Sequence, residues 1–214
     1  MDGRSMDPIA EYQTPEKALR YLALADRIPH RTEGEATLLE LLPKTCRRVL
    51  DLGTGDGRLL SIVLLAHPEA EGIALDFSPP MLERAHERFA ANPHVKVIAH
   101  DLNDPLPDLG RFDAIVSSFA IHHVPDARKR AVYAEAFAAL NPGGIFANLE
   151  HVASSTERLH RAFYEAIDVD LEREDGSNIL APVEPQLAWL REIGFADVDC
   201  YWKWREMALL AGVK

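Results

Sequence analysis

From residue 48 onward, short apolar runs alternate with stretches of helical periodicity, and that rhythm leaves few folds open. RVLDLG (48–53), EGIALDFS (71–78), VKVIAHD (95–101), FDAIVSSFA (112–120) and GGIFANLEH (143–151) read as strands. Arg58–Ala66, Pro80–Ala91 and Asp126–Leu140 read as the helices between them; in the second, Met81, Leu82, Ala85 and Phe89 share one face. Strands separated by helices imply right-handed βαβ units, hence an α/β domain with a doubly wound, mostly parallel sheet covered on both faces.

After residue 152 the rhythm changes. Ser154–Glu174 reads as one long helix with Leu159, Ala162, Phe163, Ala166 and Ile167 inward, and Pro185–Ile193 as another, ended by Gly194. FADVDCYW and KWREMALLAG then lie back to back as a terminal hairpin, which closes the sheet with one antiparallel strand. At the other end, Thr14-Pro15-Glu16 starts a helix with Ala18, Leu19, Leu22 and Ala25 as its stripe, and Glu33–Leu42 forms a second after Ile28-Pro29-His30. No Ser- or Gly-rich linker follows, so residues 1–44 are expected to be a helical lid on the domain spanning 45–214.

Composition narrows the function classes. With 214 residues, 47% hydrophobic and 27% charged, the chain reads as one soluble globular domain. A net charge of −11 argues against a nucleic-acid binder, which needs a basic surface. No apolar run is long enough to span a bilayer, and MDGRSMDPIAEYQ lacks the apolar core of a secretory signal; membrane association is not expected and a cytoplasmic location is. Cys46 and Cys200 give neither a disulfide framework nor metal-knuckle spacing, and read as two buried thiols of a reducing cytoplasm.

Chemistry concentrates in VLDLGTGDGRLL (49–60), where Gly53, Gly55 and Gly57 follow a strand and open a helix. A loop at the carboxyl end of the first parallel strand borders the crevice where such sheets bind ligands, and glycines let the backbone approach a ligand closely. The spacing is G-x-G-x-G, not the G-x-G-x-x-G of dinucleotide binders. Asp76, ending the second strand, can accept both hydroxyls of a ribose. Asp101, ending the third, can accept from the exocyclic amine of a base held between Leu102 and Phe77. Asp51 sits at the end of the first. Each acid alone has a plain turn reading; three on successive strands beside a glycine loop do not.

This order of motifs resembles the class I S-adenosylmethionine-dependent methyltransferases, tightly over residues 45–150 and loosely in the hairpin. The resemblance implies a Rossmann-like seven-stranded sheet, with an antiparallel seventh strand slipped between the fifth and sixth, and S-adenosylmethionine as cofactor. It implies that Asp51, Gly53, Thr54, Gly55 and Gly57 lie against the methionine part, Asp76 against the ribose and Asp101 against the adenine. FDAIVSSFAIHHV matches the family's fourth motif, which implies that Ser117 and Phe119 lie under the donor; LNPGGIF matches the segment before the fifth strand. HH after strand four and QLAWLREIGF are similar to the small-molecule branch with ubiquinone-biosynthesis-like and trans-aconitate-like enzymes.

The acceptor side is less determined. His122 and His123 follow strand four, and Glu150 and His151 end strand five. Either histidine could be a general base for a hydroxyl, or serve packing and capping; a metal would have to use these four residues, and none is expected. Arg31, in IPHRTEG, could close on the carboxylate of the donor or of an acidic substrate. Tyr12, Tyr21, Tyr164, Trp202 and Trp204 could line an aromatic pocket, though the two tryptophans also suit the core. The absence of an N/D-P-P-[YF] motif weighs against methylation of nucleobases or glutamine amides. The expected function is methyl transfer to oxygen, nitrogen or carbon of a small organic acceptor. The alternatives are a relative that makes a modified donor such as carboxy-S-adenosylmethionine, or a non-catalytic S-adenosylmethionine-binding module. The long Ser154–Glu174 helix has apolar residues to spare for a homodimer.

Overall fold

The computed structural model describes Thr14 and residues 28–214. The helix expected from Thr14 to Ala25, with Tyr12 and Tyr21, otherwise lies outside the described residues. The elements are α1 (Arg31–Leu41), β1 (Arg48–Leu52), α2 (Arg58–Ala66), β2 (Glu71–Asp76), α3 (Pro79–Phe89), β3 (Val95–Ala99), β4 (Phe112–Ser118), α4 (Asp126–Ala139), β5 (Leu140–His151), α5 (Glu157–Ala166), α6 (Val183–Ile193), β6 (Ala196–Trp204) and β7 (Met207–Val213). Single 3₁₀ turns stand at Ile121–His123 and Leu171–Arg173.

One seven-stranded sheet runs in the order β3-β2-β1-β4-β5-β7-β6. The pairs from β3 to β5 are parallel, while β7 is antiparallel to both β5 and β6. The strand order therefore reverses between β1 and β4, which opens the crevice at their carboxyl ends.

Burial on both faces explains the near-continuous apolar strands. Along β7, Met207, Leu209 and Ala211 join one core with Leu38, Leu60, Val63 and Phe89, while Ala208 and Leu210 join the opposite core with Val132, Leu187 and Leu190. Emptying such a position, as in Leu→Ala, costs about 2–5 kcal/mol. At the edge β6 keeps Asp197, Asp199, Tyr201 and Lys203 exposed, charges that discourage pairing with another strand. Helix α1 lies over β5, β6 and β7 and touches α2.

The long helix expected over Ser154–Glu174 is corrected. Helix α5 starts at Thr156, whose hydroxyl accepts from the Leu159 amide, and ends after one face of Phe163 and Tyr164 has been buried. Leu159 and Ala166, expected inward, are exposed. Asp168 takes a left-handed conformation (φ 55°), and the Asp170 carboxylate accepts from the Glu172 amide, so aspartates that compete for backbone donors break the helix. The segment 167–181 then folds back toward the crevice. The expectation of two buried thiols is met at Cys46 and corrected at Cys200, which is only half-buried. Among the described residues no helix is long and apolar enough to cross a membrane.

Candidate functional site

A cavity of about 340 Å³ opens at the carboxyl ends of β1 to β4. The glycine loop forms its floor. Gly53 has φ 68°, and a Cβ there would stand 2.2 Å from Ala120 Cβ, so only glycine lets the loop after β1 meet the loop after β4. The Thr54 amide donates to Leu75 O (2.8 Å), tying the loop to β2. A Cβ at Gly55 would meet no protein atom within 4 Å and would project from a residue that lines the cavity. Gly57 has another job: it leads into α2 at φ 84°, a Cβ would lie 2.4 Å from Phe89, and it stands outside the lining.

The three acids converge on this cavity. Asp51 is buried; its Oδ2 accepts from the Thr54 hydroxyl (2.6 Å), while Oδ1 has no hydrogen-bond partner. Burial pushes its carboxyl up to about 7, opposed by the Thr54 hydroxyl and assisted by the neighbouring charge of Asp76. Asp76 accepts from the Ser78 amide on Oδ1 (2.9 Å) and the Gly55 amide on Oδ2 (2.8 Å), leaving further lone pairs on each oxygen. Burial raises its pKa and these amides pull it back, leaving it raised. Ser78 occupies the N-cap position of α3, though its side chain makes no capping bond. Asp101 accepts from both the backbone and side-chain nitrogens of Asn103, and lines the cavity with Leu102 and Phe77.

Beyond the acids, the two serines of β4 divide. Ser117 donates to Leu52 O (2.8 Å) across the sheet and is not in the lining; Ser118 is, and its Oγ is buried without a partner. His100 also lines the cavity with an unpartnered, buried Nε2. Buried polar atoms are normally satisfied, so Asp51 Oδ1, Ser118 Oγ and His100 Nε2 around one cavity mark a polar ligand site. Phe119 lines it at φ 52°, a conformation rare for an aromatic residue, with its amide bonded to Leu149 O (2.8 Å).

The rim is cationic. Arg31, the first residue of α1, is buried, donates through Nε to Glu35 (3.0 Å) and stands 5.3 Å over the Phe119 ring. Arg58 grips both oxygens of the same Glu35 (2.9 and 3.0 Å). Two guanidiniums thus converge on one carboxylate beside the cavity. Arg88, paired with Asp56, lines the far side.

Of the histidines, His123 lines the cavity and His122 does not. His122 is buried with Nδ1 2.5 Å from Glu150 Oε1, its ring 4.1 Å from that of His123. Burial holds the His122 imidazole well below its usual range; burial and then the neighbouring His122 do the same to His123, while burial raises Glu150 to about 7. His151 turns to Glu206 instead (3.0 Å), and among the described residues no group of three or more His, Cys, Asp or Glu is arranged to hold a metal. Nor do the aromatic candidates gather: Trp202 packs beside Gly34, and Trp204 against His30 and Phe163. Tyr164 is buried in α5, and none of the three lines the cavity.

Sequence reasoning missed Ser118, His100, Arg58 and Arg88. His100 had a signal as the neighbour of Asp101. Arg58 and Arg88 had none, since their placement depends on how α2 and α3 turn.

Residues 49–144 match the family model described as "Methyltransferase domain". A demethylmenaquinone methyltransferase of Clavibacter sepedonicus is 31% identical over 179 residues, 77% of this chain and 71% of that protein. The chain belongs to the class I S-adenosylmethionine-dependent methyltransferases. An uncharacterised methyltransferase of Mycobacterium tuberculosis is 35% identical over 121 residues, 56% of this chain and 59% of that protein, so the chain spans under two thirds of that relative's length. The solved structure of human N-acetylserotonin methyltransferase in complex with S-adenosylmethionine superposes with a TM-score of 0.71 at 17% identity, over 100% of this chain and 60% of that one, and shows the shared fold. The cavity suits this family's cofactor: it is lined by a buried carboxylate with an unpartnered oxygen and an open glycine cradle, with further acids at or just after the ends of the next two strands.

Proposed function

We propose that this methyltransferase moves a methyl group from S-adenosylmethionine to a small organic acceptor, with His123 taking the acceptor's proton. The unpartnered Asp51 Oδ1 beside the Gly53–Gly55 loop carries the reading: a buried carboxylate oxygen whose lone pairs meet no donor calls for a cation, and the donor's ammonium is one. Asp76 then holds the ribose hydroxyls, Asp101 and His100 border the adenine between Leu102 and Phe77, and Ser118 and Phe119 border the sulfonium. Ser117 and Gly57 act one step back, by fixing β1 to β4 and α2 to α3. Arg31, with Arg58 and Glu35, meets a carboxylate of the donor or of an acidic acceptor. Of the lid expected over residues 1–44, Arg31 at the start of α1 is the described residue that lines the cavity.

When bound, S-adenosylmethionine supplies a methyl whose bond to sulfur breaks, the electron pair going to sulfur, as an acceptor lone pair forms the new bond. The chain aligns acceptor and donor and accepts a proton. Burial keeps the His123 imidazole neutral with a lone pair free to accept, and the same burial disfavours the imidazolium, so the proton taken from the acceptor passes on to solvent as the methyl transfers instead of resting on the ring. His122 backs it from the buried side through ring contact and its bond to Glu150.

Calorimetric titration with S-adenosylmethionine, S-adenosylhomocysteine and NAD is the direct test. Micromolar binding of the first two without NAD supports the reading, and acceptors can then be screened. Failure of both sulfur nucleosides to bind would overturn it.

A further inference from the structure

The segment 167–181, which breaks away from the expected helix, ends against the histidine turn. Ser177 is buried there, with its Oγ 3.0 Å and its carbonyl oxygen 3.2 Å from His123 Nδ1. The same hydroxyl lies 2.7 Å from Asp175 Oδ1, which also accepts the Ser177 amide at 2.9 Å. Neighbouring bonds fix the arrangement: the Ile179 amide donates to His122 O (2.9 Å), and the buried Lys129 Nζ donates to both Val124 O (2.8 Å) and Ile179 O (2.5 Å).

Counting protons decides the direction of these bonds. A serine hydroxyl has one hydrogen, and a carboxylate can only accept, so the hydroxyl proton points to Asp175. Toward His123 the Ser177 Oγ then presents lone pairs, and the Ser177 carbonyl can present nothing else. Nδ1 must carry the hydrogen, and in the neutral ring the basic lone pair falls on Nε2.

We propose that Asp175 and Ser177 are positioning residues that lock His123 in the tautomer with hydrogen on Nδ1. The inference deepens the reading of His123 as base and rests on it for its catalytic consequence; the tautomer itself does not. Sequence reasoning had no access to it, because DGS at 175–177 is an ordinary turn signature and its partner is far away along the chain.

Nitrogen-15 NMR of the full-length protein, with labelled histidine, reads the tautomer without any turnover. The wild type should show His123 with Nδ1 protonated. In Asp175→Ala the Ser177 hydroxyl is released to donate in competition with the carbonyl acceptor, so the opposite tautomer should become detectable beside the wild-type one. In Ser177→Ala only the carbonyl acceptor remains, so the tautomer should persist, and Asp175→Asn, whose amide oxygen can still accept, should restore most of the wild-type signal. Once an acceptor is known, Asp175→Ala should lose roughly 10-fold in kcat with little change in KM. A wild-type ring protonated on Nε2, or an Asp175→Ala signal identical to wild type, would overturn the proposal. A tautomer that responds as described while His123→Gln turns over normally would uphold the lock and discard His123 as base.

Discussion

The two halves of the cavity are built in opposite ways. On the side we propose for the donor, Asp51, Gly53, Asp76, Asp101 and Ser118 lie at the ends of four neighbouring parallel strands or in the loops just after them, held by ladder hydrogen bonds. On the side we propose for the acceptor, Arg31 and His123 come from a helix before β1 and a 3₁₀ turn after β4, and Ser177, which bonds His123 from outside the lining, comes from a segment beyond α5. The first half is placed by the sheet, which tolerates little movement. The second is placed by side-chain bonds between distant segments. Such an arrangement conserves one chemistry while leaving the partner open to variation.

If the halves are separable, mutations should be too. The largest effect is expected from His123→Ala: about a 10²-fold drop in kcat on a hydroxyl acceptor, with donor affinity unchanged in calorimetry. Loss of donor affinity instead would merge the two halves into one. Next comes Asp76→Ala, which should weaken S-adenosylmethionine binding by about 1.5–3 kcal/mol through lost charge-assisted hydrogen bonds, while binding of the acceptor changes little. Near-wild-type donor affinity would remove Asp76 from the ribose.

The same division explains what could be read from the residues. The alternation from 48 to 151 and the strand-terminal acids were legible because strand ends and their loops are local features, and the sheet converts local order into proximity. The hairpin was legible too, because two strand-like runs lie back to back in the chain, although the turn falls at Arg205–Glu206, two residues beyond the junction of FADVDCYW and KWREMALLAG. The end of α5 was not: apolar spacing through Ile167 continued the pattern, and the aspartates at 168 and 170 won the competition for the backbone. Trp202 and Trp204 were correctly placed on one face but belong to packing under α1, which depends on where that helix lies. The Arg31–Glu35–Arg58 group joins two helices and had no pattern of its own.

Titration separates the halves further. The folded carboxyl of Asp51 sits near 7, above its unfolded value, so below about pH 7 the free protein holds it protonated, where it cannot pair with an ammonium. Donor affinity should therefore weaken by up to roughly 10-fold on going from pH 7 to pH 6, and binding at pH 6 should release a proton, seen as a dependence of calorimetric heat on the buffer's ionisation enthalpy. The sign for stability is opposite to that of an ordinary paired carboxylate. A raised acid contributes stability at low pH that is lost as pH rises toward 7, so Asp51→Asn should gain stability relative to wild type across that interval, by at most about 1.4 kcal/mol per pH unit. A difference independent of pH would mean that Asp51 is ionised throughout, with a cation already beside it.

The finest cut is between two adjacent serines, and it tests whether the donor side is as sharply placed as the sheet suggests. Ser117 Oγ is committed to Leu52 O, so Ser117→Ala should lower stability by about 1 kcal/mol in denaturant unfolding and leave donor affinity alone. Ser118 Oγ has no partner in the free protein, so Ser118→Ala should leave stability unchanged or slightly raised, and weaken S-adenosylmethionine by about 1 kcal/mol. Successive residues of a strand point to opposite faces, which is why the two effects should not mix. A donor defect in Ser117→Ala with none in Ser118→Ala would mean that the ligand reaches the sheet from the other side of β4.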